Sequence, residues 1–182
     1  MKILWRRLDR AGHEHLELLR EGSGWLLNGV AIFEYEKQPC RLDYRIACDA
    51  AWATLSASVA GSVGERRVDV TIRANGGSWT LNDQAVPAVD GCIDVDLNFS
   101  PSTNLLPVRR LNLKVSDKAS VRAAWLRFPT FTLEPLEQSY TRLDDRTVRY
   151  ESAGGTFVAE LEVNESGLPL RYGNIWEADA AV

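Results

Sequence analysis

Apolar and polar positions alternate with a period of two along most of this chain, and Gly, Asn, Asp and Pro interrupt the alternation at short intervals. Residues 2–7, 13–20 and 25–36 read as the first three strands. The third carries apolar residues on both faces, as expected for a strand that lines a filled or ligand-holding interior while something else covers its outside. Residues 40–48 alternate cleanly, with Leu42, Tyr44, Ile46 and Cys48 against Arg41, Asp43, Arg45 and Ala47. Residues 52–63 return with small side chains that leave room for another element. Residues 66–74 place Val68, Val70 and Ile72 inward, and Asn75-Gly76-Gly77 marks a hairpin into residues 78–82. Further strands are expected at 120–128, 139–143, 147–151, 156–163 and 168–172, followed by a tail that holds Trp176. Pro129 and Pro135 make residues 131–136 an edge or a bend, because each proline removes a backbone donor. Roughly ten short strands at hairpin spacing predict a mainly all-β, antiparallel sheet curled into a barrel or a sandwich. Only residues 105–113 and the corner at 49–54 leave space for a helical turn.

The stretch from Asp90 to Leu113 breaks this rhythm. Asp94 and Asp96 alternate with Ile93, Val95 and Leu97, which in a strand puts both carboxylates on one face about 6.5–7 Å apart. Asn98, Pro101, Asn104 and Pro107 then punctuate the chain, and Arg109-Arg110 follow. Carboxylates and guanidiniums so near in sequence form paired hydrogen bonds. Two readings stay open: a cluster that pins an irregular segment under the sheet, and a polar patch beside an apolar cavity. In the first, Asp94 and Asp96 are ionised and held by Arg109, Arg110 or turn amides, while Asn98 and Asn104 bond local backbone.

Composition narrows the function classes. A chain of 182 residues suits one domain over 1–182, and 45% hydrophobic residues supply a large core. A net charge of −4 with the basic residues scattered among acids disfavours a nucleic-acid surface. No apolar run is long enough to span a membrane, and the N-terminus turns charged after Trp5, so no secretory leader is read. Cys40, Cys48 and Cys92 fit a reducing compartment better than a disulfide framework, and a cytoplasmic location is expected.

Recognisable catalytic signatures are missing: no nucleophile elbow, phosphate loop, dinucleotide fingerprint or zinc motif occurs. His13 and His15 share a strand face but have no third ligand at metal spacing. Asp94 and Asp96 allow a carboxylate-pair hydrolase by geometry, although such chemistry needs one raised pKa. The six tryptophans, spread over the strands, either fill the core or line a cavity.

The blocks LWRRLD (4–9), CRLDYRIACDAAW (40–52), DGCIDVDLNFSPSTNLLPVRRL (90–111), VRAAWLRFPTFTLEPLEQSY (121–140) and RYESAGGTFVAELEV (149–163) resemble the bacterial putative glycolipid-binding family. The resemblance implies an open antiparallel β half-barrel around a short helical segment, similar to the bacterial lipoprotein carriers, with a cavity for a lipid or glycolipid. It brings no catalytic residues. The combined expectation is a binding protein for an amphipathic small molecule held in the concave face, with no cofactor and no metal. Asp94, Asp96, Asn104, Arg109, Arg110, Tyr44 and Trp125 are the candidate ligand-binding residues. The rival readings are a hydrolase or isomerase working through Asp94 and Asp96, and an interaction module with a solid core.

Overall fold

Strands form where alternation lets one face bury apolar side chains. The computed structural model describes residues 1–182. Its first arm holds β1 (Lys2–Arg7), β2 (Gly12–Glu21), β3 (Gly24–Tyr35), β4 (Gln38–Cys48), β5 (Thr54–Val63), β6 (Arg66–Asn75), β7 (Ser78–Leu81) and β8 (Gln84–Ala85). The second holds β9 (Asp94–Leu97), β10 (Lys118–Arg127), β11 (Thr132–Arg142), β12 (Thr147–Ser152), β13 (Phe157–Val163), β14 (Pro169–Tyr172) and β15 (Trp176–Ala181). All fifteen strands belong to one sheet. The first arm winds outward from β1 to β8, the second returns from β9 to β15, and β15 pairs with β1 at the centre. The sheet curls without closing, since β8 and β9 end it.

The strand count exceeds the expected ten. The tail around Trp176 is a strand, β15, whose small alternating residues give little hydrophobic signal. Cross-strand ion pairs reinforce it, Arg6 reaching Glu177 at 2.5 Å and Asp179 at 3.0 Å. Residues 132–142 form one continuous strand, so of the edge or bend expected at 131–136 the edge is found and the bend is not. Pro135 is tolerated because β11 there pairs only with β10, and its ladder to β12 begins at Gln138. The corner at 49–54 makes a turn, not a helix, with Asp49 Oδ1 accepting from the amides of Ala51 and Ala53.

Residues 90–113 depart from the meander because β9 runs parallel to β10, the only parallel pairing in the sheet. Parallel neighbours need a crossover. Here it is a 3₁₀ turn at Ser102–Asn104 leading into the single α-helix, α1 (Leu105–Leu111). Pro107 is accommodated in the first turn, where its missing amide has no helical partner. Asn112 ends the helix in the left-handed conformation, φ 45° and ψ 47°, with its amide bonded to Val108. Leu105 and Leu106 are fully buried, and each such burial contributes about 1.5–3 kcal/mol. No helix is long and apolar enough to cross a membrane.

Apolar side chains form two clusters. The larger joins the first arm to β9, β10 and α1; the smaller lies under the second arm, around Val121, Tyr140, Val148, Tyr150, Leu161 and Val163. Tyr172 packs against both.

Gly29 in β3 shows how the core fixes one functional side chain. It pairs with Tyr44 of β4, whose ring lies across the glycine. A Cβ on Gly29 would sit 2.3 Å from Tyr44 Cζ. Gly29→Ala is therefore expected to displace the ring and to destabilise by about 1–3 kcal/mol, the usual range for overpacking. That corresponds to a melting temperature roughly 3–10 °C lower. A thermal scan that superimposes on the wild type would refute this role for the glycine.

Candidate functional site

The polar cluster of β9 divides into two carboxylates with different fates. Both point to the same face, as alternation requires, and Val95 and Leu97 are buried on the other; Ile93, just ahead of the strand, is 43% exposed. Asp94 is 2% exposed and is gripped by Arg110 of α1. Arg110 Nε donates to Oδ1 at 3.0 Å, and an Nη donates to Oδ2. Burial pushes the Asp94 pKa up while Arg110 draws it back. Because both oxygens accept from one guanidinium, the carboxylate is ionised and its charge is cancelled on the spot.

Asp96 is not held by an arginine. Its Oδ2 accepts from Gln138 Nε2 at 2.6 Å. Burial, opposed by Gln138 and helped by the neighbouring Asp94, pushes its pKa up to about 6. Gln138 also donates to Tyr150 at 3.0 Å, and Tyr140 donates to Asn104 Oδ1 at 3.1 Å. Asn104 Nδ2 donates to the carbonyl of Pro101 at 3.2 Å, a local bond as expected. Asn98 departs from that expectation: its Oδ1 accepts from the amide of Phe128, 30 residues away.

Asp96, Asn98 and Asn104 open onto a cavity of about 360 Å³ on the concave face. Five aromatic rings, Trp125, Tyr150, Phe157, Tyr172 and Trp176, line it with Leu136 and Ile175. Trp125 stands beside Asp96 because the two are register partners in the parallel ladder. At the mouth Arg7 donates to both oxygens of Asp9, at 2.8 and 2.9 Å, with its guanidinium 4.7 Å from the Trp176 ring centre. Burial pushes the Asp9 pKa up, but Arg7 and Arg10 outweigh it and hold it below the usual range. Apolar walls with a few convergent polar groups are the usual make-up of a small-molecule site. By contrast, an outer depression of about 540 Å³ near Arg146 and Arg171 has no hydrophobic lining residue.

One wall of the cavity continues into a buried polar knot. Ser100 lines the cavity and donates to Glu14 Oε1 at 2.5 Å. Tyr44 donates to the same oxygen at 2.5 Å and accepts from the Ser102 hydroxyl at 2.9 Å, while the Ser100 and Ser102 hydroxyls lie 2.6 Å apart. Glu14 is 0% exposed, and its Oε2 has no partner. Burial, only partly offset by Ser100, Tyr44 and Arg7, pushes its pKa up to about 8.

Of the residues singled out by sequence, Asp96, Asn104 and Trp125 face the cavity. Asp94 and Arg110 are consumed in their pair. Arg109 lies 5.4 Å over the Trp52 ring, which stacks on Trp25 at 4.5 Å, with Arg20 capping the far side. Tyr44 sits behind the wall and reaches the cavity only through Ser100. Sequence reasoning passed over Glu14, although its place on the face shared with Leu16 and Leu18 was the signal. It also passed over Arg7, Gln138 and Ser100, for which no local pattern exists.

Comparison with known proteins agrees with this architecture. The model of the family described as "Putative glycolipid-binding" matches residues 2–178. A crystal structure of a DUF1089 family protein from Pseudomonas aeruginosa is 34% identical, covers 90% of this chain and 91% of its own, and superimposes with a TM-score of 0.78. A β-barrel-like protein of a domain of unknown function, DUF1849, from Brucella abortus shares the fold at 11% identity, with a TM-score of 0.57 over 97% of this chain and 93% of its own. No curated protein matches. With the family model spanning nearly the whole chain, the protein belongs to the putative glycolipid-binding family.

Proposed function

We propose that the concave cavity binds an amphipathic small molecule of the lipid or glycolipid class, and that the protein carries this molecule without transforming it. The observation that supports this most is the pairing of five aromatic rings with Asp96, Asn98, Asn104 and Ser152 around one opening. Rings of this kind stack on sugar or acyl carbons, and short polar side chains fix hydroxyls. A volume of about 360 Å³ has room for a sugar ring or a short acyl segment, with the remainder of a longer ligand outside the mouth.

The carboxylate-pair hydrolase gains little support. Asp96 has the raised pKa of a general acid, but its intended partner Asp94 is locked to Arg110 and does not line this cavity.

Titration calorimetry with octyl glucoside below its micellar concentration tests the reading. Trp125→Ala is expected to weaken binding tenfold or more, about 1.4 kcal/mol. Trp125 is only half-buried, so the variant should stay folded. Equal affinity in the two proteins would place the ligand elsewhere. Absence of any binding would favour the solid-core module, and turnover of a glycoside or ester, lost in Asp96→Asn, would favour the hydrolase.

A further inference from the structure

The cavity holds one carboxylate, Asp96, without a cationic partner. Its charged lining residues are Arg7, Asp9 and Asp96. Arg7 donates to both oxygens of Asp9, which also accepts from Arg10 at 3.1 Å, so the lining arginine is engaged by a carboxylate of its own. Asp96 has no such partner: its single protein hydrogen bond comes from the neutral Gln138 amide to Oδ2, which leaves Oδ1 free to accept from a ligand. The two arginines of the central stretch are committed elsewhere, Arg110 to Asp94 and Arg109 to Trp52. Around the Asp96 carboxylate stand electron-rich rings, with Trp125 beside it in register and Tyr150 joined to it through Gln138. A carboxylate among aromatic rings attracts an ammonium by a charge-assisted hydrogen bond, and by cation–π contact where a ring face within about 6 Å is open to it; one face of Trp125 is already covered by Arg127. An anionic head group beside Asp96 meets a like charge that no arginine pairs with.

We infer that the cavity selects amphiphiles whose head group bears a cationic amine, such as an amino sugar or an alkylammonium, and discriminates against anionic ones. This rests on the reading above that the cavity holds an amphiphile. Uncharged glycosyl head groups fall between the two extremes.

Three probes with the same eight-carbon chain test it by calorimetry at pH 7.5: octylammonium, octyl glucoside and octanesulfonate. Octylammonium is expected to bind at least tenfold tighter than octanesulfonate, and Asp96→Asn to remove that difference. Lowering the pH to 5 should shrink the preference, because Asp96 then takes up a proton. The groups facing Asp96 in that titration are Asp94 on its own strand, Gln138 and Tyr140 of β11, Tyr150 of β12, Tyr172 of β14, and Arg7 with Asp9 across the cavity. Octanesulfonate binding as tightly as octylammonium to the unmodified chain would overturn the inference, whatever the stability of the variant. So would a preference that survives in Asp96→Asn. If the glucoside still binds in either case, the amphiphile reading stands without the charge selectivity. If none of the three probes binds, both fall.

Discussion

Arg110→Ala is expected to destabilise the protein by about 3–5 kcal/mol, and Asp94→Ala by distinctly less, although each removes half of one ion pair. The asymmetry follows from burial. Asp94 is 2% exposed, whereas the Arg110 side chain is 18% exposed. Without Arg110 the carboxylate stays behind with no counter-charge and little access to water. Without Asp94 the guanidinium can still reach solvent from the surface of α1. The pH dependence of Arg110→Ala gives an independent check. Its Asp94 would have a folded-state pKa above the unfolded value near 4, so the folded form binds the proton more tightly. Stability is then fully present below pH 4 and is lost as pH rises through the higher folded-state value. Urea titrations at pH 4 and pH 7 should show the variant closest to the wild type at the lower pH. The double variant Arg110→Met with Asp94→Asn should recover much of the loss, because no buried charge remains. Equal penalties for the two alanine variants would mean that water reaches Asp94 as easily as Arg110.

The strand pattern was legible in the sequence because period-two alternation is a local signal. β4 shows this directly, with Cys40, Leu42, Tyr44, Ile46 and Cys48 all buried as the alternation places them. The crossover was legible as an interruption, and its helix was located, but its cause was not. That β9 runs parallel to β10 depends on a pairing across the intervening helix, which no local pattern encodes. β15 was missed because Glu177, Ala178, Asp179 and Ala180 carry little apolar contrast; its place is set by backbone pairing with β1 and β14 and by buried Trp176, which no local pattern encodes. The site shows the same division. Asp94 meets Arg110, 16 residues away, one of the partners that proximity offered along with Arg109 and turn amides. Asp96 meets neither an arginine nor a turn amide, the expected partners, but Gln138, which is 42 residues away. Glu14 meets Ser100 across 86 residues. A polar residue on an apolar face is visible in a sequence, but its partner is not.

That glutamate sets the other large expected effect. Glu14→Gln should make the protein more stable than the wild type above pH 8, by an amount on the order of 3–5 kcal/mol, and leave it nearly unchanged at pH 5. The folded-state pKa is about 8 against an ordinary value of 4.5. Between those values the folded protein keeps the proton that the unfolded chain has released, so wild-type stability falls with every step of rising pH, by up to about 1.4 kcal/mol per unit. The decline is complete once Glu14 is ionised above pH 8. Other shifted carboxylates act elsewhere: Asp96 contributes a decline of the same sign that ends near pH 6, whereas Glu151, lowered to about 2, weakens the fold only in acid. The window from pH 6.5 to 8 therefore belongs to Glu14. Glutamine copies the protonated acid, since its Oε1 accepts from Tyr44 and Ser100 as the carboxyl does, and it has no charge to bury. Melting temperatures across pH 5–9 should slope downward for the wild type and flatten above pH 6.5 for Glu14→Gln. Glu14→Ala should instead be destabilised at every pH, because it strands two hydroxyls and opens a void beside the Tyr44 ring. A wild-type profile that is level from pH 6.5 to 8.5 would show that water reaches Oε2 and that the buried carboxyl is already ionised.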